Sequence, residues 1–267
     1  MVGLVVGLVV GLVMRRSQHF GYYDTDTPGE AHAQVQYHQE FAELLDPQPG
    51  MRVLDAGSGQ GVVATYLAKH HNVDVNGITV VPHEVTNATR LAHKLGVEEQ
   101  AHFQLADYTN PPFPNEQFDR VYTTETLSHA TDLPATLESF HRVLKTGGKI
   151  ALAEYEIDYA NISPELRSVY DFWETSGSLH GLKEFDKGKF PQSLAEVGFT
   201  NVAEHDWTKA VAPSFARIYR MAHPLDTVVR KVGAERHFVN TVAAKGYHLG
   251  VVEGGFKYKV YTADKAA

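Results

Sequence analysis

The chain has 267 residues, 43% of them hydrophobic and 21% charged, with a net charge of −8 and no cysteine. That length and balance suit one globular domain carrying a substantial cap, in a reducing, cytoplasmic setting. The acidic balance argues against a nucleic-acid partner, and the lack of cysteine excludes disulfides, a thiolate nucleophile and a thiolate metal site.

Residues 2–13 repeat Val-Gly-Leu-Val with a period of four. As a helix this segment stacks Gly3, Gly7 and Gly11 on one face, the small-residue stripe of close helix contacts. About 14 apolar residues rise only ~21 Å, short of the ~30 Å hydrocarbon core of a bilayer. No basic stretch precedes them, as a signal peptide would require. The expectation is packing on the protein itself or self-association with a second copy. Arg15-Arg16 keep a weak membrane-surface contact open, and Met14 is an alternative start. Then come Ser17-Gln18-His19-Phe20-Gly21-Tyr22-Tyr23-Asp24, a polar turn through Pro28-Gly29, and a helix over 30–46. Residues 1–46 therefore read as an apolar helix and a lid ahead of a core spanning 47–267.

From Met51 the pattern alternates strand and helix, the sign of an α/β doubly wound parallel sheet. Strands are predicted at 51–55, 73–79, 101–105, 118–123 and 149–155, with helices at 61–70, 82–95 and 133–144. Gly147-Gly148 are placed at the end of the last of these helices, where glycine suits a C-cap. Further helices are expected over 160–180 and 190–198, a sixth strand over 201–206, a mostly helical insertion over 212–245 and a final strand from Phe256 to Tyr261. Cap insertions thus occupy about 158–190 and 208–250. Fifteen histidines include no His-Glu-x-x-His and no His pair with a carboxylate at ligand spacing, so no metal is expected.

Between the first strand and its helix lies Asp55-Ala56-Gly57-Ser58-Gly59-Gln60-Gly61. A strand, a glycine-rich turn and a helix make a nucleotide-type cradle, in which the first helical amides attract an anion. A dinucleotide fingerprint needs Gly-x-Gly-x-x-Gly, and here the third glycine comes one residue early; a phosphate loop needs Gly-Lys-Ser/Thr, and no lysine is present. Asp-x-Gly-x-Gly-x-Gly after a hydrophobic strand resembles motif I of the class I methyltransferases that use S-adenosylmethionine. The resemblance covers about residues 40–157. It implies a seven-stranded sheet whose last strand runs antiparallel, with S-adenosylmethionine as cofactor and S-adenosylhomocysteine as product.

The resemblance assigns the cofactor to Asp55, Ala56, Gly57, Ser58, Gly59 and Gly61. It adds Thr79 and Val80 after strand two, Asp107 and Tyr108 after strand three, and Thr124 after strand four. Asp107 suits the exocyclic amine of adenine, and Tyr108 can cover the ring. Where the family commonly ends strand two with a ribose-binding acid, this sequence has Gly77-Ile78-Thr79-Val80. Thr124-Glu125-Thr126-Leu127-Ser128-His129-Ala130 and Phe140-His141-Arg142-Val143-Leu144-Lys145 are similar to the sterol C-methyltransferases, within the wider UbiE-like small-molecule branch. Glu125 and His129 sit where ligands of open α/β sheets bind, so His129 is the acid/base candidate and Glu125 its partner or a cofactor-pocket acceptor. Tyr22, Tyr23, Tyr155, Tyr170, Phe172 and Trp173 are aromatic candidates near the cleft to stabilise positive charge, with Tyr22 and Tyr23 counted among the catalytic residues. The acceptor expected is a small apolar or prenylated molecule, C-methylated at a prenyl, terpenoid or sterol-like double bond with carbocation chemistry and optional cyclisation. N- or O-methylation of a small amine, phenol or quinone is the alternative within the family. A non-catalytic cofactor-binding scaffold is the alternative outside it.

Overall fold

The computed structural model describes residues 19–176, 179–231 and 239–266. The repeat at 2–13, with the self-association and membrane contact expected of it, lies outside the described residues. Among the described residues no helix is long and apolar enough to cross a membrane.

Strand β1 (Arg52–Ala56) is buried on both faces beyond its first residue, as a near-continuous apolar run in a parallel sheet should be. It is followed by α2 (Val62–His71), after an earlier helix α1 (Glu30–Leu45). Then come β2 (Asp74–Thr79), α3 (Pro82–Leu95), β3 (Ala101–Leu105) and β4 (Phe118–Thr124). The second half runs α4 (Leu133–Val143), β5 (Leu144–Ile157), α5 (Pro164–Ser176), α6 (Lys189–Val197) and β6 (Phe199–Asp206). Helices α7 (Thr208–Lys231) and α8 (Val239–Glu253) precede the closing strand β7 (Phe256–Lys265). Seven strands lie in the order β3-β2-β1-β4-β5-β7-β6, and β7 is antiparallel to both neighbours. The expected sheet and its reversed last strand are therefore present.

Topology positions the site. The backbone winds outward from β1 to β3, then returns to lay β4 on the other side of β1. Connections diverge at that switch point and leave a crevice at the carboxyl ends of β1 and β4. The Asp55–Gly61 loop and Glu125 share that edge. One face of the sheet is covered by Tyr37, Phe41, Leu67 and Ala92 of α1, α2 and α3, together with cap residues Trp173 and Phe215. The other is covered by Leu137, Phe140, Phe190 and Leu194 of α4 and α6.

The junction of α4 and β5 differs from expectation. Strand β5 begins at Leu144, so Gly147-Gly148 do not cap α4; Gly147, at φ 77°, lies in a register shift between β4 and β5. The end of α4 is closed instead by the Lys265 ammonium, which donates to the carbonyls of His141 and Leu144 at 2.9 and 2.8 Å. A cation on the last carbonyls does the work assigned to glycine. Within the insertion α8 packs on α7 and on α5. Gly246 permits this approach, because a Cβ there would lie 2.5 Å from the Trp173 ring.

Candidate active site

At the end of β1 the backbone turns sharply. Gly57, Gly59 and Gly61 adopt φ of 99°, 48° and 73°, a region that L side chains avoid. The Gly57 and Ser58 amides donate to the Ile78 carbonyl at 2.9 Å each, and Gly61 N–H donates to Ser58 O at 2.8 Å, which pins the loop to β2. A Cβ on Gly57 would meet Thr126 Cγ2 at 2.6 Å, and one on Gly61 would meet Ala88 and Phe103 at 2.7 Å. The loop is thus wedged between the segment after β4 on one side and α3 with β3 on the other. Helix α2 starts at Val62 without a capping side chain, so its first amides remain available to an anion. The Ser58 hydroxyl is buried and, among the described residues, has no hydrogen-bond partner. Buried Asp55 faces the Tyr122 phenol, and desolvation pushes its carboxyl up to about 7.

The end of β2 does carry an acid, contributed from outside the strand. Thr79 donates through its hydroxyl to Glu84 Oε2 at 2.7 Å and accepts from Val81 N–H at 3.2 Å. Glu84 belongs to the first turn of α3. Sequence reasoning missed it by searching the strand end alone, although the acid stands in the helical turn that Pro82 opens. Val80 and Leu105, at the ends of β2 and β3, are 63% and 58% exposed, a bare apolar surface of the kind a purine covers. Asp107 Oδ1 accepts from Thr109 N–H at 2.8 Å. Tyr108 donates to the Thr126 carbonyl at 2.8 Å, which joins the loop after β3 to the loop after β4.

Thr124 closes β4, and the next residue turns left-handed. Glu125 has φ 60° and its N–H donates to the Ala153 carbonyl at 2.8 Å. A non-glycine residue in this region costs about 1–2 kcal/mol and persists where the surroundings over-determine it. Those surroundings are phenols. Tyr258 donates to Glu125 Oε1 at 2.8 Å, Tyr155 to Oε2 at 3.5 Å, and the Phe20 amide to Oε1 at 3.4 Å. Since Tyr258 donates to the carboxylate, its oxygen accepts from Tyr37, 2.8 Å away. Tyr247 stands 3.2 Å behind Tyr155. Desolvation pushes the Glu125 carboxyl up to about 8 against these hydrogen bonds, which pull it down. Around it stand aromatic faces: Phe20 packs edge-on against Phe215 and Tyr247 at 4.5 and 5.2 Å, and Phe215 stacks on Tyr247 at 5.2 Å. Behind the same loop, fully buried Glu154 accepts from Leu127 N–H at 2.5 Å and is pushed up to about 8 by burial.

The sequence candidates fall into separate groups. Asp55, Ala56, Gly57, Ser58, Gly59 and Gly61 form the cradle, with the Ala56 carbonyl accepting from Thr126 Oγ1 at 3.2 Å. Tyr155 reaches Glu125, whereas Tyr170 and Trp173 lie deeper in the aromatic layer. Tyr22 packs edge-on against Trp207 at 5.0 Å. Tyr23 donates to Glu30 at 3.0 Å, the carboxylate that also pairs with Arg217 at 2.8 Å. These two rings fasten the lid to α1 and α7. His129 ends the short 3-10 turn Leu127–His129 and is exposed, and Glu125 accepts hydrogen bonds from Tyr258, Tyr155 and the Phe20 amide. The partners Tyr258, Tyr37 and Tyr247 carry no local motif, because each comes from a different element far along the sequence.

The cradle suits S-adenosylmethionine: glycines where a side chain would collide, a buried unpartnered hydroxyl, open helical amides and an uncovered apolar surface at the strand ends. Residues 47–204, more than half of the chain, match the family model described as a methyltransferase domain. An S-adenosyl-L-methionine-dependent Diels-Alderase of Talaromyces variabilis is 29% identical over 88% of this chain and 83% of its own length. Phosphoethanolamine N-methyltransferase 3 of Arabidopsis thaliana is 29% identical over 83% of this chain, which spans only 41% of that relative. The structure of a geranyl diphosphate methyltransferase, solved with GPP and sinefungin, superposes with a TM-score of 0.75 over 98% of this chain and 93% of the other, at 16% identity. That likeness establishes the fold. The matched domain, the motif I cradle and the seven-stranded sheet with its reversed last strand place this protein among the class I S-adenosylmethionine-dependent methyltransferases of small-molecule type.

Proposed function

We propose that this protein methylates a small apolar acceptor on carbon, at a double bond of the prenyl or terpenoid kind. The observation that carries this reading is Glu125, a desolvated carboxyl held by Tyr258 and Tyr155 against a wall of aromatic faces. S-adenosylmethionine supplies an electrophilic methyl on a sulfonium. Held by the Asp55–Gly61 loop, that methyl would be taken by the double bond, with the carbon–sulfur pair left on sulfur and a cation left on the acceptor. The faces of Phe20, Phe215 and Tyr247 stabilise such a cation by roughly 0.5–2 kcal/mol each. Glu125 then takes the proton from the neighbouring carbon and the double bond is restored. A base whose pKa lies near the working pH is suited to that transfer. The Asp55–Gly61 loop, Thr79 with Glu84, Val80, Asp107, Tyr108 and Thr124 are assigned to holding the cofactor.

The test is an assay with isotopically labelled methyl donor and a panel of prenyl, phenol, quinone and amine acceptors, with products located by mass spectrometry. Label is expected on carbon. Label only on nitrogen or oxygen would defeat the reading and favour the alternative methyl transfer. A second reading, cyclisation of a polyene without net methyl transfer, is favoured by the same carboxyl: burial raises its pKa, and in its protonated form it can donate a hydrogen bond to an acceptor carbonyl. Product of unchanged elemental composition, formed in the presence of cofactor, would select it.

Asp55 gives a separate expectation. Free, its carboxyl titrates at about 7; beside a cationic cofactor the charged form is favoured and the value falls. Binding therefore releases a proton below pH 7. Calorimetric affinity for S-adenosylmethionine should rise up to about tenfold per unit between pH 6 and 7, then level off above about 8. Asp55→Asn should flatten the profile.

A further inference from the structure

The lid segment 19–24 crosses the site as a strap, and its amides at 20–23 are held by four different partners. Phe20 N–H donates to Glu125 Oε1 at 3.4 Å and Gly21 N–H to Ser214 Oγ at 2.9 Å. Tyr22 N–H donates to the Ala33 carbonyl and Tyr23 N–H to the Ala210 carbonyl, each at 2.9 Å. His19, one residue earlier, is buried and stacks on Tyr37 at 4.3 Å. Its Nδ1 lies 2.8 Å from the Phe20 carbonyl, which can only accept, so Nδ1 carries the proton. Its Nε2 is therefore bare in the neutral ring. That nitrogen meets Nε2 of buried His38 on α1 at 2.8 Å, so His38 is the donor. One proton joins two facing nitrogens.

We propose that His19 and His38 form a positioning latch, which holds the Phe20 peptide on Glu125 while both rings are neutral and frees the strap as the pH falls. The part played by Glu125 rests on the function proposed above; the latch itself does not. The groups around the pair make an added proton costly. Tyr37 of α1 covers His19, while Tyr66 and His70 of α2 face His38, with Tyr66 at 5.0 Å and itself stacked on His70. Among the described residues neither ring pairs with a carboxylate; Glu125 is reached along the strap only through the Phe20 amide. A first added proton is thus a buried uncompensated charge, and a second sets two N–H groups against each other. Burial holds His19 down to about 4, and burial with the charges of His19 and His70 holds His38 well below the ordinary imidazole range. Both values are lowered in the closed state, so closure is favoured above the ordinary value of about 6.5 and is lost as the pH falls from there towards 4.

Hydrogen exchange read by mass spectrometry on the full chain tests this without any acceptor, with protection corrected for the intrinsic rate at each pH. Amides 20–23 should lose protection by roughly tenfold per titrating histidine between about pH 7.5 and 5.5, while amides of β1 and β4 keep theirs. His38→Gln retains a donor to His19 and should preserve protection at neutral pH with a smaller step. His38→Ala should lower protection at both ends of the range. His70→Asn, which leaves the pair in place, should retain the step. Strap protection that is uniform across the range in the unmodified chain would overturn the latch. So would a full step in His38→Gln that vanishes in His70→Asn. Failure of carbon methylation in the acceptor panel leaves these outcomes unaffected.

Discussion

Glutamine in place of Glu125 is expected to lower turnover by about 10²–10⁴-fold, the usual contribution of a positioned proton acceptor. The amide keeps the acceptor oxygen that receives the Tyr258 and Phe20 hydrogen bonds at 2.8 and 3.4 Å, so the phenol network and the strap should persist. What disappears is the capacity to take a proton. S-adenosylhomocysteine affinity, measured by calorimetry, should stay within about twofold, because the cradle lies on a different loop. A second signature comes from stability. The Glu125 carboxyl titrates at about 8 in the folded chain against an ordinary value of 4.5. The folded state therefore holds a proton that the unfolded state loses, and the contribution of this group to stability falls as the pH rises from 4.5 through 8. Glu125→Gln should remove that alkaline loss and unfold at a higher temperature than the parent near pH 8, by at least ~1 kcal/mol, with little difference near pH 5. Unchanged turnover of carbon methylation in this variant would exclude Glu125 from the chemistry.

Alanine at Gly57 should weaken cofactor binding severely, with at least about a hundredfold loss of S-adenosylhomocysteine affinity. Two costs coincide there. The residue sits at φ 99°, and the added Cβ would lie at 2.6, 2.9 and 2.9 Å from three side-chain atoms of Thr126. Thr126 cannot retreat freely: its hydroxyl donates to the Ala56 carbonyl, its own carbonyl accepts from Tyr108, and Leu127 beside it is held by Glu154. The strain should therefore spread into the loops after both β1 and β4, destabilising the fold by ~1–3 kcal/mol. Adding Thr126→Gly removes the collision but leaves the backbone strain. Partial recovery of affinity and stability in the double variant is expected, and its absence would show that φ alone forbids the substitution.

The parts of this molecule that are legible in sequence are those written locally. Strand β1, the Asp55–Gly61 turn and α2 follow one another within 20 residues, and Leu133–Val143 fills its predicted range closely, with apolar residues at helical spacing. The end of α4 is misread from sequence because its cap is Lys265, more than 120 residues away, which no local glycine rule can detect. Glu84 escapes notice for a milder version of the same reason, since its carboxylate reaches back across the first turn of a helix to Thr79. His129 is singled out in sequence by the likeness to sterol C-methyltransferases and by its place after β4, yet the 3-10 turn leaves it in an exposed position.

Sequence alone determined the strand, the glycine turn and the helix, because these are short-range objects whose backbone geometry is dictated by the residues within them; the cofactor and the seven-stranded sheet followed from the family resemblance that those residues carry. Tertiary structure alone decided the surroundings of Glu125. Its phenols arrive from β5 and β7, its aromatic wall from the strap, α7 and α8, and its strap latch from α1. Desolvation, which moves a carboxyl up to about 8 and an imidazole down to about 4, is a property of everything packed around a group.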